Sequence, residues 1–216
     1  MKHSTPTENP AATADDRSAI LARVRGALSP LAERAALPEY EADLAVVRRM
    51  VAGGDLFTLF SERIRLVNGE ALTDPAALAD RLRKGGWTRG YCDPAIWPRL
   101  QPHFGAEFTV ETVFDRDRID DYRFGITRGA GAIAETGTIV LNDAVTSRRL
   151  AALAPWVHVA VLPRSSLMSD VSQAVAALGD DPNVIWCTGS SSTADVEGIL
   201  IRGVHGPGVQ IALFLD

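Results

Sequence analysis

Short apolar runs alternate with stretches of helical spacing in the C-terminal half of the chain. Runs rich in β-branched residues and bounded by Gly and polar residues are typical of buried strands. Between them, apolar residues recur every three or four positions, as on one face of a helix. This alternation predicts an α/β fold with a mostly parallel sheet flanked by helices on both faces. The predicted strands are 139–141, 157–162, 184–187 and 209–215, and the predicted helices are near 145–154, over 167–178 and from Ser192 onward.

The N-terminal half has fewer regular signals. Helical spacing predicts one helix over 15–28 and a second one from about 38 to 51, before Gly53 and Gly54. A capping residue followed by Pro75 predicts a further helix over 73–82. The run 55–60 is interpreted as the start of a strand, and short extended segments are expected near 87–92, 107–110 and 121–127.

Composition and charge exclude several classes of function. The 216 residues are 46% hydrophobic, enough for the core of one compact domain, and the net charge of −5 offers no attraction to nucleic acid. No apolar stretch approaches the roughly 18 residues of a membrane span. The polar segment 1–14 is expected to be a disordered tail rather than a secretory signal, so a cytoplasmic location is expected. Cys92 and Cys187 are too few for an iron–sulfur cluster, so any cluster belongs to a partner.

Three polar turns that contain glycine adjoin predicted strands, and they form the candidate functional site. They cover residues 134–138 (Ala-Glu-Thr-Gly-Thr), 188–197 and 203–208. Open α/β folds hold their ligands at strand ends, which is where we expect these turns to lie. The second turn is predicted to lead into a helix, whose N-terminus favours phosphate or carboxylate. It has neither the lysine of a P-loop nor a G-x-G-x-x-G pattern.

Each of these turns also has a structural interpretation. The hydroxyls around Gly137 could bond to their own neighbours in a tight turn, and Asp195 and Glu197 could complement a helix dipole. His205 lies between glycines and could transfer a proton, although a loop histidine is more often structural. His158, inside an apolar strand, is expected to be a hydrogen-bonded residue of the core or of an edge. The sequence has no His, Cys and Asp grouping at the spacing of a zinc site.

The three turns together resemble the lactate-utilisation protein C (LutC) family, which carries the LUD domain. The resemblance rests on segments 125–127, 132–138, 188–189, 192–197 and 203–207 and covers roughly residues 40 to 216. It implies an α/β domain of the NagB/RpiA/CoA-transferase-like type, with the turns around one pocket. The chain would then comprise the tail (1–14), an N-terminal helical segment (15–54) and a LUD-type domain (55–216).

The resemblance also implies a function. It places the chain beside companion proteins, one of them with iron–sulfur clusters, in the oxidation of L-lactate to pyruvate. No cofactor of this chain follows from it, and the expected ligand is a small anion of carboxylate, nucleotide-like or CoA-like type. Glu135 and His205 are the catalytic candidates. The ligand-binding candidates are Thr127, Thr136, Gly137, Thr138, Thr188, Gly189, Ser190, Ser191, Ser192, Thr193, Asp195 and Glu197.

Two alternative functions stay open. The chain could be a non-catalytic assembly or regulatory subunit, or an autonomous acyl or CoA transferase with Glu135 as the nucleophile. Two departures from the family pattern bear on the ligand. This chain has Arg128-Gly129-Ala130-Gly131 where many relatives have an Asp, and its loop 189–192 lacks a Lys or Arg that many relatives have. Arg128 or Arg202 could supply the missing cation.

Overall fold

The computed structural model describes residues 14–30, 54–177, 181, 183–194 and 200–215. The chain forms two compact units, 1–41 and 42–216. In the first unit, helix α1 (Ala14–Leu28) confirms the predicted N-terminal helix. The helix predicted near 38–51 lies outside the described residues, as does the predicted tail apart from Ala14. The division of the sequence into tail, helical segment and α/β domain stays a prediction.

Six parallel strands form the main sheet of the second unit. Strands β7 (Val157–Leu162) and β4 (Phe124–Arg128) lie at its centre, and all six residues of β7 are buried, as its mainly apolar run predicts. The predicted strands over 157–162 and 209–215 are therefore confirmed. In spatial order the strands are β1 (Gly69–Leu72), β12 (Val209–Phe214), β7 (Val157–Leu162), β4 (Phe124–Arg128), β2 (Arg89–Cys92) and β3 (Thr109–Glu111).

Helices cover both faces of this sheet, as the alternating pattern predicts. Successive β7 side chains point to opposite faces: Val159 packs with the first core cluster and Ala160 with the second. Leu78, from the helix over 75–84, belongs to the first cluster. Phe60, from the helix over 56–66, belongs to the second cluster. Helices α3 (Pro75–Lys84) and α4 (Trp97–Leu100) cover the first face, and α2 (Leu56–Leu66) and α5 (Arg149–Leu153) cover the second.

A smaller sheet packs against the second face, and it corrects part of the predicted topology. The strands predicted over 139–141 and 184–187 exist, but they pair antiparallel with each other and do not join the parallel sheet. The connection before β6 is a tight hairpin, which can join only antiparallel strands. Spatial order in this sheet is β8 (Leu167–Met168), β5 (Gly131–Ile133), β6 (Thr138–Asn142) and β9 (Val184–Thr188); helix α6 (Val171–Ala177) precedes β9.

Two predicted elements are wrong. The run 55–60 is not a strand but the start of α2, because Asp55 caps the helix by accepting from the Thr58 N–H at 3.0 Å. Phe60 and Ile64, one turn apart, then point together into the core. The helix predicted from Ser192 does not begin there: β10 (Ser192–Ala194) is a strand that pairs antiparallel with β11 (Leu200–Arg202).

Candidate functional site

The structure brings the three turns into contact. Thr138 and Thr188 stand opposite each other on β6 and β9, with their hydroxyl oxygens 2.8 Å apart. The Ser191 N–H donates to the Pro207 carbonyl at 2.8 Å, and the Gly203 N–H donates to the Ser191 carbonyl at 2.9 Å. The first turn therefore contacts the second, and the second contacts the third. We call residues 135–138, 188–193 and 203–207 the three-turn cluster.

Helix α2 supports the cluster through two glycines. Gly137 (φ +67°) lies against the backbone of Ile64, and Gly189 (φ +76°) lies against the backbone of Val67 just beyond the helix. An added Cβ at either position would overlap these backbone atoms. Both positions thus require glycine for its positive φ and for the close approach. The requirement for glycine at these two positions therefore follows from the packing of the turns on α2 and does not by itself indicate a ligand.

The polar groups of the first turn bond mainly to the protein itself. Glu135 is half-buried, and its Oε2 accepts from the Val171 N–H at 3.2 Å, at the first residue of α6. The Thr136 and Thr138 hydroxyl oxygens are 2.6 Å apart, which links them to the Thr138–Thr188 bond. These contacts fit the structural interpretation of this turn, with Glu135 capping a helix.

The second turn contains a buried hydroxyl with spare hydrogen-bonding capacity. Ser190 is 8% exposed, and its Oγ has no hydrogen-bond partner among the described residues. Buried hydroxyls are normally hydrogen-bonded, so this group is suited to an additional partner. Ser192 donates to the Ser190 carbonyl at 3.2 Å, and Thr193 is half-buried in β10. Asp195 and Glu197 lie outside the described residues.

The third turn lies at the amino ends of the parallel strands, not at their carboxyl ends. It directly precedes β12, and Gly203 packs on the indole of Trp156, the residue before β7. A cavity of about 260 Å³ opens here, with Gly203, Gly206, Trp156 and Arg123 in its lining. His205 is exposed between the two glycines. This position differs from the edge at which open α/β folds usually bind ligands.

Thr127 lies in the interior of the main sheet, where it bonds to His158. Both residues are fully buried; the Thr127 Oγ1 is 2.9 Å from His158 Nε2, and the Gln210 amide nitrogen is 2.8 Å from His158 Nδ1. This arrangement confirms His158 as a hydrogen-bonded core residue. Burial lowers the pKa of His158 from 6.5 to about 4, so the ring is neutral at physiological pH.

The sequence did not reveal an ion pair between a buried carboxylate and a partly exposed arginine at the carboxyl edge of the sheet. Asp93 follows β2 and is 1% exposed, and its Oδ2 accepts from Nε of Arg128, the last residue of β4, at 2.9 Å. Burial raises the pKa of Asp93, but hydrogen bonds from Ser147, the Ala95 N–H and Arg128 outweigh it and hold the pKa below its usual range. A carboxylate directly after a buried strand was the available signal.

The described residues offer little for a metal or for thiol chemistry. In the described ranges, His, Cys, Asp and Glu side chains form no group of three that could hold a metal ion. Burial raises the pKa of the Cys187 thiol to about 11, so it is protonated and a poor nucleophile at neutral pH. Among the same residues, no helix is both long and apolar enough to cross a membrane.

These features define an α/β protein with a parallel main sheet, a smaller mixed sheet packed against it and a cluster of glycine-containing turns. Comparison with known proteins agrees with this class. A family model described as the LUD domain matches residues 96–215. The chain belongs to this family.

Curated relatives and one solved structure extend the comparison. Lactate utilization protein C of Bacillus velezensis is 32% identical over 187 residues, which is 71% of this chain and 75% of the relative. The protein of that name from Bacillus licheniformis is 34% identical over 98 residues, but the match spans only 41% of its length. A crystal structure of a DUF162 family protein from Deinococcus radiodurans has a TM-score of 0.54 at 22% identity, covering 74% of this chain and 96% of that one, which shows a shared fold.

Proposed function

We propose that this chain acts in lactate utilisation, as a cytoplasmic subunit that contributes to the oxidation of L-lactate to pyruvate together with iron–sulfur partner proteins. The observation that carries the proposal is the similarity to a Lactate utilization protein C over 75% of that protein's length. Oxidation of lactate releases two electrons, which need an acceptor. The chain contains only two cysteines, too few for an all-cysteine cluster, so the proposal assigns the acceptor clusters to a partner.

The proposed ligand is a small anion bound at the three-turn cluster. The buried Ser190 hydroxyl supports this, because it has no partner among the described residues and can donate to a carboxylate. Arg123 lines the cavity beside the third turn together with Asp120, and it is the cation that could pair with the anion there. His205 is exposed next to that cavity and is the candidate for accepting a proton from the lactate hydroxyl.

A non-catalytic assembly or regulatory role is the second candidate. It is favoured by the first turn, where Glu135 caps α6 and the three threonine hydroxyls bond to one another. In that case the glycines and threonines keep the turns rigid for a partner protein. The same carboxylate contact makes Glu135 a less accessible nucleophile, so nothing in the geometry favours the transferase alternative.

Growth on L-lactate tests the role, and point variants separate the two candidates. Deletion of the gene in its own organism should abolish growth on L-lactate but not on glucose, and the intact gene should restore it. Normal growth of the deletion strain on L-lactate would refute the lactate role. Ser190→Ala and His205→Ala should fail to restore growth if the cluster binds the ligand. Ser165→Ala, which removes an exposed hydroxyl outside the cluster, is the control.

The opposite result supports the second candidate. If both cluster variants restore growth fully, the chain is required without ligand chemistry at this site. Co-purification of the tagged chain from lactate-grown cells should then recover an iron–sulfur protein, identified by its visible absorbance. Failure to recover such a protein in either case would contradict the proposed partner.

A further inference from the structure

Two adjoining cavities open at the carboxyl edge of the main sheet, where the parallel strands end. The third turn lies at the other end of these strands. The larger one, about 410 Å³, has apolar walls that include Val145, Leu162 and Leu215. The smaller one, about 370 Å³, shares Arg99 and Leu215 with it. Cavities of this size and position are typical of small-molecule sites in α/β proteins. We call the larger one the carboxyl-edge cavity.

The charged side chains that line both cavities are arginines. Arg128 lines the larger cavity, Arg164 the smaller one and Arg99 both. Neither Asp nor Glu is found among the described lining residues. Cations on low-dielectric walls produce a positive potential inside a cleft, which attracts anions. The Asp93 carboxylate, which pairs with Arg128, offsets part of this charge but does not line the cavity, so the lining itself favours an anionic occupant.

The structure holds Arg128 in place before any ligand arrives. Its Nε donates to the buried carboxylate of Asp93 at 2.9 Å, and Asp93 is itself fixed by the Ala95 N–H at 2.8 Å. This pair uses one of the five N–H donors of the guanidinium and leaves the arginine side chain 42% exposed at the cavity. An arginine fixed in this way loses little side-chain entropy when it binds an anion.

Arg164 is also positioned by a neighbour. Its guanidinium lies over the ring of Phe57, with its central carbon 4.3 Å from the ring centroid. This cation–π contact restrains the side chain at the smaller cavity without neutralising its charge. Arg164 could therefore pair with an acidic group of a ligand in the smaller cavity, which adjoins the carboxyl-edge cavity.

We infer that the carboxyl-edge cavity binds a small organic anion, with a carboxylate or phosphate paired to Arg128 and an apolar body against Val145 and Leu162. The cavity volume of about 410 Å³ is larger than a three-carbon acid would fill, and its walls are largely apolar. The expected occupant therefore carries an apolar part in addition to its acid group. This site lies apart from the three-turn cluster, and the inference does not depend on the lactate role.

Isothermal titration calorimetry of the full chain tests this inference with four probes. Benzoate and phenyl phosphate carry an acid group on an apolar ring, benzyl alcohol has the ring without the charge, and inorganic phosphate has the charge without the ring. At least one of the two aromatic anions should bind at least about tenfold more tightly than both controls, as expected for a charge-assisted contact combined with apolar burial. The tighter of the two identifies the acid group that the site prefers.

Variants locate the binding. Arg128→Gln should weaken binding of the aromatic anion at least about tenfold. Val145→Trp should weaken binding by a similar factor, because the larger side chain fills the cavity. This variant does not remove the Arg128–Asp93 pair, so it still tests the inference if Arg128→Gln does not fold. Arg149→Gln is the matched control, because the Arg149 Nε also donates to a carboxylate, that of Asp143 at 3.0 Å, but lines neither cavity.

Three results would overturn the inference. The first is no measurable binding of either aromatic anion at millimolar concentration, and the second is equally tight binding of benzyl alcohol. The third is binding that survives the folded Arg128 and Val145 variants. Binding lost in Ser190→Ala instead would assign the anion to the three-turn cluster, which supports the proposed function and refutes this inference.

Discussion

His158 should make the protein less stable as the pH falls, and His158→Gln should remove this effect. The imidazole is 0% exposed between β4 and β12. Because the Gln210 amide nitrogen can only donate, Nδ1 accepts, and the Nε2–H donates to Thr127. Both ring nitrogens are thus engaged in the neutral form, and protonation of the ring would break the bond to Gln210 and bury a charge.

The magnitude follows from the two pKa values. Burial lowers the pKa of His158 in the folded protein from 6.5 to about 4. Between these values the unfolded chain binds the proton and the folded chain does not, so the free energy of unfolding falls by up to about 1.4 kcal/mol for each pH unit. The contribution is present above pH 6.5 and is lost as the pH falls toward 4. From about pH 7 to about pH 4.5 the loss is about 2 kcal/mol.

Urea unfolding followed by tryptophan fluorescence at a series of pH values measures this effect. The glutamine amide keeps one donor and one acceptor, so His158→Gln should fold and show a pH profile flatter by about 2 kcal/mol over that range. His103→Gln is the control, because His103 is an exposed histidine outside the buried chain of hydrogen bonds. Profiles that are parallel for the unsubstituted protein and His158→Gln would refute the reasoning.

The remaining predictions concern backbone strain, the buried ion pair and the thiols. In urea titrations, Gly189→Ala should lower the free energy of unfolding by more than about 2 kcal/mol, because the new side chain has a positive φ and overlaps the Val67 backbone. Gly86→Ala is the control: Gly86 has a similar φ but open space around it, so the loss should be only about 1 kcal/mol. Asp93→Asn should destabilise the protein by about 1 to 3 kcal/mol, measured as a lower thermal midpoint, because it removes the charge of a buried carboxylate from its bond to Arg128. An unchanged midpoint would contradict a stabilising ion pair. Cys187 should react slowly with iodoacetamide at neutral pH in the native protein and quickly in urea, as followed by mass spectrometry, and equal rates would contradict the raised pKa.

Much of the fold could be predicted from local pattern. The run 157–162 is apolar except for His158, which predicted a strand buried on both faces, and β7 is that strand. The Pro75 signal predicted α3 to within two residues at each end. The prediction from local pattern was wrong at 55–60, where the apolar residues are compatible with a strand as well as with a helix. The Asp55 cap and the i, i+4 spacing of the buried Phe60 and Ile64 favour the helix that forms.

The candidate site could be predicted only in part. The glycines and hydroxyls of the three turns marked a cluster, and the structure brings these turns together. The sequence did not reveal that Ser192 begins a strand, because its strand partner is Arg202, ten positions further along the chain. The preceding residue, Ser191, is held by the Pro207 carbonyl, which also lies outside the local pattern. It also did not pair Asp93 with Arg128, which are separated by 35 positions.

By itself, the sequence determined the order of most helices and strands, the burial of the central strands and the glycines that the turns require. These properties depend on short-range periodicity and on the allowed φ of single residues, which a local pattern contains. Only the tertiary structure decided which strands pair in parallel, that the third turn lies at the amino edge, and that the arginine-lined cavities open at the carboxyl edge. Those outcomes depend on contacts between distant segments, and the packing of the whole domain selects them.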